Sequence, residues 1–572
     1  MLKTTCYIKQ SDGFIKQNLI QSLTDITFAH YKKIIMKKLL TSLITLLFVN
    51  AFSQAPSFSF AKEQSCWAVD TKIDTNGDII SVGYFNGVKD FDPSATTYTL
   101  SDADGSLYMQ KLNSNGNLIW AKNFGPTAFS STENVINSLQ IAANNDYVIC
   151  GTYIGNGDFN PGTAINTLTC QTDNTNIFIA RFDENGNLIW ANGIGAIGST
   201  NDERAQSISI DNNDNLIVVG SFQNFSPNFT DFDPSASTYT VSGGGGNFVA
   251  KYSSNGSFIS VKKFQGLNHQ YVFSYPNNDV LVLGYTQGVE DYDPSPTNTY
   301  TINTTYPGSY SGQTYYLRLN SNLDFISAKA ISGGSINKFT SASVSSSLTA
   351  LMCTIDCAGA TTDSDPSSTV TTTLNTHFST YGKMIQRLDG DMNLLFAKNV
   401  KKDYNASFTN GTDNFSNVKD TLIKYDNAGN TIWKYKTTNA MPVSIIRTPL
   451  DNLYVSGFNL GNANCDPMTN DPNGLLGASE GYLFRWDLPI TTNIYTLEGK
   501  ISDISIFPNP AKNYINISSK DFITKTEIIN VLGEQIKQQK NEMREIIMSI
   551  DDLNSGIYFL KADGKMIRFV KE

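Results

Sequence analysis

Short apolar segments alternate with polar turns along most of the chain, with the two-residue period of β-strands. Residues 135–141, 147–153, 177–182 and 188–192 show this alternation, and Asn-, Asp- and Gly-containing turns separate them. Asn and Gly tolerate the positive φ of a tight turn, so these turns predict hairpins. The pattern therefore predicts four antiparallel strands here, and no helical periodicity occurs in the repeating region.

Three sequence motifs of this unit recur along the chain, and the first of them occurs at 73–83, 210–220, 275–284 and 449–457. A phrase ending in a possible fourth strand occurs at 111–120, 181–190 and 424–433, with weaker copies at 251–260, 318–327 and 387–396. The five copies from 111 to 396 are spaced 70, 70, 67 and 69 residues apart. Between the second and third predicted strands stands Asp-Phe-Asp-Pro or a variant, at 90–94, 158–161, 231–235, 291–295 and 363–367. Four strands recurring over about 70 residues favour a β-propeller. Tandem β-sandwiches are the main alternative, but units of this size would have too little core.

The ends of the repeating region indicate how the ring closes. Residues 57–62 match the fourth-strand phrase at 118–122 but stand before the first complete unit, whereas residues 482–486 form a third strand without a fourth. We therefore predict that the N-terminal strand pairs with 482–486, which removes an exposed sheet edge. The unit between 397 and 440 is short and degenerate. Seven blades are our first choice and six the alternative.

The N-terminal region predicts a secretory signal peptide at residues 36–53. Basic residues after Met36 precede a short apolar run, and the cleavage site is predicted between Ser53 and Gln54. Signal peptides begin at the N-terminus, so we expect translation to start at Met36. Residues 1–35 would then be an upstream extension that is not part of the protein. The apolar run is shorter than the roughly 20 residues of a membrane span.

The amino-acid composition excludes several classes of protein. The formal net charge is −10, which argues against nucleic-acid binding. Only His30, His269 and His377 occur, widely separated, which argues against a zinc hydrolase or a His-based triad. Six irregularly spaced cysteines follow the signal, and Cys353 with Cys357 is the favoured local disulfide pair. The composition indicates an acidic, β-rich extracellular protein.

The Asp-x-Asp-Pro phrases are the candidate metal sites. Paired carboxylates near turn carbonyls are suitable for calcium, and the candidate ligands are Asp90, Asp92, Asp231, Asp233, Asp291 and Asp293. A structural turn is the favoured interpretation, because Asp and Ser beside Pro cap backbone groups and Asp158-Phe-Asn-Pro161 lacks one carboxylate. Alternation places the central Phe or Tyr in the core. Trp120, Trp190 and Trp433 are interpreted as packing between blades.

No catalytic residues stand out from the repeat pattern, and no cofactor other than calcium is indicated. A paired-carboxylate glycosidase would need two acids across one cleft, and none is distinguished among the many acids of the chain. The non-repeating segments 300–314 and 369–381 are candidates for a binding rim.

The repeat resembles the seven-bladed propeller repeats of secreted Bacteroidetes proteins, over residues 57–488. The C-terminal residues resemble the type A sorting domain of the Bacteroidetes type IX secretion system, because Phe-Pro-Asn-Pro, Val-Leu-Gly-Glu, a Ser-Gly-Ile-Tyr strand and a basic–apolar end occur in order. The matching motif residues are Pro508, Asn509, Pro510, Gly533, Gly556, Tyr558 and Lys571. The resemblance implies recognition by the secretion translocon and its sortase, removal of the domain, and surface attachment or release.

These observations together predict an all-β protein. We expect a propeller at 54–488, a linker at 489–500 and a small Ig-like β-sandwich sorting domain at 501–572. The expected role is recognition, adhesion or envelope architecture without catalysis, toward an unknown glycan or protein ligand. The alternative is an extracellular propeller enzyme that acts on polysaccharide or peptide.

Overall fold

The computed structural model describes residues 56–572 with interruptions. The interruptions are residues 67, 127–134, 171–173, 196–201, 224–228, 242, 287, 303–312, 332–335, 359–360, 367–372, 376–381, 401–406, 410–412, 419, 449–451, 467–474, 477–480, 489–503, 531–534 and 563–564. The predicted signal peptide, its cleavage site at Ser53 and Gln54, and most of the two candidate rim segments lie outside the described residues. The chain divides into two compact units, Met1–Ile490 and Thr491–Glu572, which are described separately.

The first unit consists of β-strands. In chain order they are β1 (Ser57–Gln64), β2 (Ala68–Ile73), β3 (Ile79–Asp90), β4 (Thr99–Leu112), β5 (Leu118–Pro126), β6 (Val135–Ile141), β7 (Tyr147–Tyr153), β8 (Asn156–Asp158), β9 (Thr167–Thr169), β10 (Asn176–Phe182), β11 (Leu188–Ile194), β12 (Glu203–Ile210), β13 (Leu216–Phe222), β14 (Gly246–Tyr252), β15 (Phe258–Phe264), β16 (Leu267–Ser274), β17 (Val280–Thr286), β18 (Gln313–Leu319), β19 (Phe325–Ile331), β20 (Ile336–Val344), β21 (Ala350–Ala358), β22 (Thr361–Asp363), β23 (Thr373–Asn375), β24 (Gly382–Asp389), β25 (Leu394–Val400), β26 (Ser407–Thr409), β27 (Asn414–Val418), β28 (Thr421–Tyr425), β29 (Thr431–Lys436), β30 (Thr438–Arg447), β31 (Asn452–Asn464), β32 (Leu475–Leu476) and β33 (Gly481–Asp487).

These strands form a seven-bladed β-propeller. The blades, from first to fourth strand, are β2-β3-β4-β5, β6-β7-β10-β11, β12-β13-β14-β15, β16-β17-β18-β19, β20-β21-β24-β25, β26-β27-β28-β29 and β30-β31-β33-β1. All strand pairs within the blades are antiparallel, and the short strands β8, β9, β22, β23 and β32 are additions to them. The choice of seven blades over six is confirmed. The described residues contain no helix long and apolar enough to span a membrane.

The ring closes through the N-terminal strand, as predicted. Strand β1 pairs antiparallel with β33, so that Phe58 lies opposite Trp486 and Ala61 opposite Phe484. Phe58 and Ala61 pack against the apolar core of blade 7, in which Trp486 is fully buried. The seventh blade is thus assembled from the two ends of the propeller sequence.

Adjacent blades are joined by an aromatic ring packed on a glycine turn. The Trp120 ring, on the fourth strand of blade 1, lies against Gly186 in the turn between the third and fourth strands of blade 2, where an added Cβ would be 2.8 Å from a ring carbon. Trp190 on Gly256 and Phe396 on Gly429 repeat this contact at later junctions. The interpretation of Trp120 and Trp190 as packing between blades is confirmed.

Basic residues at the ends of several third strands add polar links between blades. Lys111 binds Asp74 at 3.0 Å within blade 1 and Tyr147 of blade 2 at 3.0 Å. Burial opposes the charge of Lys111, but the hydrogen bonds to Tyr147 and Asp74 outweigh it and raise its pKa. Lys111 therefore links blades 1 and 2, and Arg181, which opens the next copy of the repeated phrase, likewise binds Asp214 of blade 3 at 2.8 Å.

The proposed local disulfide is wrong. Cys353 and Cys357 both lie in strand β21, where a separation of four residues spans about 13 Å. A disulfide needs Cα atoms within about 7 Å. Sequence proximity predicted the pair, and the extended backbone prevents it.

The second unit is a small antiparallel sheet. Its strands are β34 (Ile504–Phe507), β35 (Tyr514–Ile529), β36 (Gln535–Ser549), β37 (Gly556–Ala562) and β38 (Lys565–Lys571). Their order is β34-β35-β37-β38, and β36 also pairs with β35. Ile515, Ile528, Leu560 and Phe569 are fully buried and form part of its own core.

Candidate functional site

The Asp-Phe-Asp-Pro loops are hydrogen-bonded turns. Asp90 Oδ1 accepts the backbone N–H groups of Asp92 and Tyr98, at 3.0 and 2.9 Å. Asp92 Oδ1 accepts the N–H of Ser94 at 2.9 Å. The same bonds hold the loops of Asp231 with Asp233 and of Asp291 with Asp293. The first aspartate therefore joins the two ends of the loop, and the second caps the Pro-Ser turn.

The aromatic residue between the two aspartates lies in the core. Phe91, Phe232 and Tyr292 are at most 4% exposed. Phe232 contacts Phe222 and Phe248 of its blade, with ring centroids 5.3 and 5.2 Å apart. This confirms the predicted placement of the aromatic residue.

The loops also contact the preceding blade. Asp231 of blade 3 forms an isolated β-bridge with Gly195 at the end of blade 2, and β8 of blade 2 pairs with the end of β5 in blade 1. The described residues contain no group of three or more His, Cys, Asp or Glu placed to hold a metal. Calcium binding at the six aspartates stays a prediction from the sequence.

The first strands of the blades surround a central channel, and most of them carry a β-bulge at the same place. The register shifts at Val69, Asn137, Gln206, Gln270, Thr340 and Val443. A bulge inserts one residue and redirects its side chain. The repeated bulges thus form one ring of redirected side chains around the channel.

Side chains near the bulges bond the first strand of the next blade. Asp70 accepts the Leu139 N–H at 3.0 Å, and Asn137 donates to the Ala205 carbonyl at 2.6 Å. Gln270 donates to the Phe339 carbonyl at 3.0 Å and accepts its N–H at 2.9 Å. Ser207 and Ser343 accept the N–H groups of Val272 and Thr409. These hydrogen bonds therefore occupy some of the backbone N–H and C=O groups that would otherwise face the channel.

The channel has a volume of about 530 Å³, within the range of small-molecule sites. Its polar lining is mainly hydroxyl and amide groups, from Ser138, Gln140, Gln206, Ser207, Thr340, Ser341, Ser343, Ser407 and Ser444 among others. Asp70 and Lys72 are the charged lining residues, and they form an ion pair at 3.2 Å. The described lining therefore has no net charge.

Aromatic rings line one side of this channel. Tyr271 and Phe273, both on β16, are nearly parallel, with an interplanar angle of 8° and centroids 6.5 Å apart. Burial, with a smaller contribution from the Asp70 carboxylate, raises the pKa of Tyr271 to about 12. The Tyr271 hydroxyl therefore stays protonated and can donate a hydrogen bond. The sequence did not single out these channel residues, because inner strands have the same alternation as the others.

The second unit brings most of the predicted motif residues together. Asn509 accepts the Val570 N–H at 2.9 Å and donates to the Arg568 carbonyl at 3.3 Å. Gly556 pairs with Lys571, and the Tyr558 ring stacks on Phe569 at 5.8 Å. The Phe-Pro-Asn-Pro segment, with Pro508 and Pro510, is therefore bound to the C-terminal strand. Gly533 lies outside the described residues.

Comparison with protein families identifies this unit. Residues 505–572 match the family described as the secretion system C-terminal sorting domain. The chain thus combines a seven-bladed propeller with a type IX secretion sorting domain, which indicates export to the cell surface or the extracellular space.

Comparison with curated proteins finds no match. Among solved structures, the Dos1 propeller has 10% identity and a TM-score of 0.35, with 75% of this chain and 94% of that chain covered. Polysaccharide lyase Uly1 has 8% identity and a TM-score of 0.37, covering 76% and 99%. PorZ, an essential surface component of the type IX secretion system of Porphyromonas gingivalis, has 10% identity and a TM-score of 0.20, covering 90% and 99%.

Proposed function

We propose that the protein is a non-catalytic recognition protein of the cell exterior, which binds its ligand in the central channel. The observation that carries this proposal is the ring of bulges that directs hydroxyl and amide side chains into a channel of about 530 Å³. Such groups fix a ligand by hydrogen bonds. The Asp70 carboxylate is held by Lys72 and by the Leu139 N–H, so it serves the structure.

The test combines binding with detection of products. We expect the purified chain to retain ligands from arrays of glycans and peptides without altering them, and Gln206→Trp to abolish retention by filling the channel. Gln206 is exposed, so this change leaves the core intact. Release of shortened glycans or peptides by the purified chain would instead support the alternative, a propeller enzyme.

The export route is the second part of the proposal. We propose that a signal peptide at 36–53 directs passage through the inner membrane. The domain at 501–572, after a linker at 489–500, then engages the type IX translocon and its sortase. Deletion of residues 501–572 is expected to leave the propeller in the periplasm of a host with this system. Secretion of the shortened chain at the normal level would contradict the proposal.

A further inference from the structure

We propose that the channel ligand is a neutral saccharide, held by Gln140, Gln206 and Tyr271. This proposal rests on the proposed function and deepens it by assigning the chemical class of the ligand. It is carried by three features of the channel, namely its charge, its occupied backbone groups and its unpaired hydroxyl and amide side chains.

Charge argues against an acidic or basic ligand. Lys72 is the cation of the described lining, and Asp70 accepts a hydrogen bond from it at 3.2 Å. Anionic groups such as phosphates and carboxylates are held by Arg or Lys that can form charge-assisted hydrogen bonds. A cation would need Asp70, which also accepts the Leu139 N–H. The lining therefore suits a neutral ligand.

The inner strand edges argue against an extended peptide. A peptide that adds to a sheet edge needs a row of free backbone N–H and C=O groups. Here side chains of the preceding blade occupy such groups of Leu139, Ala205 and Phe339, and also those of Val272 and Thr409. A ligand in the channel would therefore bind to side chains and not to a row of backbone groups.

The available side chains have the donors and acceptors that sugar hydroxyls require. Among the described residues, the side chains of Gln140, Gln206 and Tyr271 make no hydrogen bond to one another or to other groups. A glutamine amide and a sugar hydroxyl each donate and accept hydrogen bonds, so the two groups can satisfy one another. The nearly parallel Tyr271 and Phe273 rings provide apolar surface for the C–H face of a sugar ring.

The experiment is an array of peptides and of neutral, uronic-acid-containing and sulfated oligosaccharides, probed with the purified full chain. Binding of the best-retained ligand, expected to be a neutral glycan, is then measured by calorimetry with three variants. Gln206→Ala and Tyr271→Phe should each weaken binding about fivefold, the effect of one hydrogen bond between neutral groups. Gln265→Ala, an exposed glutamine of the propeller that does not line the channel, is the matched control and should bind as the original chain does.

The outcomes separate this proposal from the one on which it rests. Retention of neutral glycans that falls with Gln206→Ala supports both. Retention of acidic glycans or peptides that falls with Gln206→Ala overturns the neutral saccharide but keeps recognition in the channel. Retention that is equal in all variants, or no retention of glycans or peptides, overturns both.

Discussion

Two kinds of blade junction recur in this ring. At the junctions after blades 1, 2 and 5, a large aromatic ring on the fourth strand packs on a glycine turn, as Trp120 does on Gly186. At the junctions after blades 3 and 4, the position of that ring is taken by Ser260 or Ser327. The turn then carries buried Leu323 or Met392 instead of glycine. Leu323 and Met392 both have positive φ, 66° and 60°. Leu323 belongs to a core cluster that includes Val249 of blade 3. We infer that the large group has moved from the strand to the turn, so that the volume of the junction is kept.

The closing junction belongs to the first kind. Phe60 packs on Gly116, where an added Cβ would lie 2.8 Å from a ring carbon. Arg485 and Tyr454 of blade 7 donate to the Ser114 carbonyl of blade 1, at 3.1 and 2.9 Å. These contacts match those of the other junctions of the first kind. Because no turn connects β33 to β1, however, β1 is held in blade 7 by hydrogen bonds and packing alone.

The largest expected effect therefore comes from removing that strand. A chain that starts at Glu63 lacks most of β1 and exposes the edge of β33 and the buried Trp486. We expect it to lose more than about 4 kcal/mol of unfolding free energy, beyond the range of ordinary point changes. Denaturant unfolding, compared with a chain that starts at Gln54, measures this. An unchanged midpoint would contradict closure by β1.

The second prediction tests the aromatic–glycine contact with two glycines. Gly186 and Gly77 both have positive φ, 69° and 84°, but only Gly186 lies under a ring, whereas nothing lies within 4 Å of a Cβ at 77. Gly77→Ala should cost about 1 kcal/mol from backbone strain. Gly186→Ala should cost about 3 kcal/mol, because Trp120 must also move. Equal losses in denaturant unfolding would show that the ring adjusts freely.

The sequence predicts the strands and blades of this structure better than it predicts the contacts between blades. The strands, the seven blades and the closing strand follow from repeated phrases, because each phrase contains a complete hairpin signal. The inferred exchange at position 260, where Ser replaces Trp, involves Leu323, which is 63 residues further on. The channel bulges likewise depend on bonds to the next blade, such as Asn137 to Ala205. Contacts between repeats are therefore the part that single phrases do not predict.

The third prediction compares the ion pairs of two lysines of blade 3. Lys251 binds Asp211 at 2.9 Å with the Asp211 side chain fully buried, whereas Lys262 binds Asp324, which is 55% exposed. Lys251→Met should cost about 2 kcal/mol, because a buried carboxylate loses a charged partner. Lys262→Met should cost less than about 1 kcal/mol, as is usual for exposed pairs. Comparable losses at neutral pH would contradict the importance of burial.

The pH dependence of the buried pair has a definite sign. Burial opposes ionisation of Asp211, but hydrogen bonds from Asn215 and Lys251 outweigh it and lower its pKa in the folded state. Its contribution is therefore present above the unfolded pKa of about 3.9 and is lost as the pH falls through the folded value. The difference between the original chain and Lys251→Met should thus shrink below about pH 4. A difference that stays constant from neutral pH to pH 3 would contradict this.

The fourth prediction is a coupling energy that tests the exchange of large and small groups directly. Ser260→Trp should destabilise the junction after blade 3 by about 1–3 kcal/mol through overpacking, because Leu323 already fills that space. Leu323→Gly relieves the strain of a positive φ but leaves a cavity, with a net loss of about 2 kcal/mol. Together the two changes recreate the Trp120–Gly186 arrangement, so the double variant should be more stable than the sum of the single losses by at least about 1 kcal/mol. Denaturant unfolding of the four chains gives this coupling. Additive losses would mean that positions 260 and 323 do not share one space, and that the two kinds of junction differ for unrelated reasons.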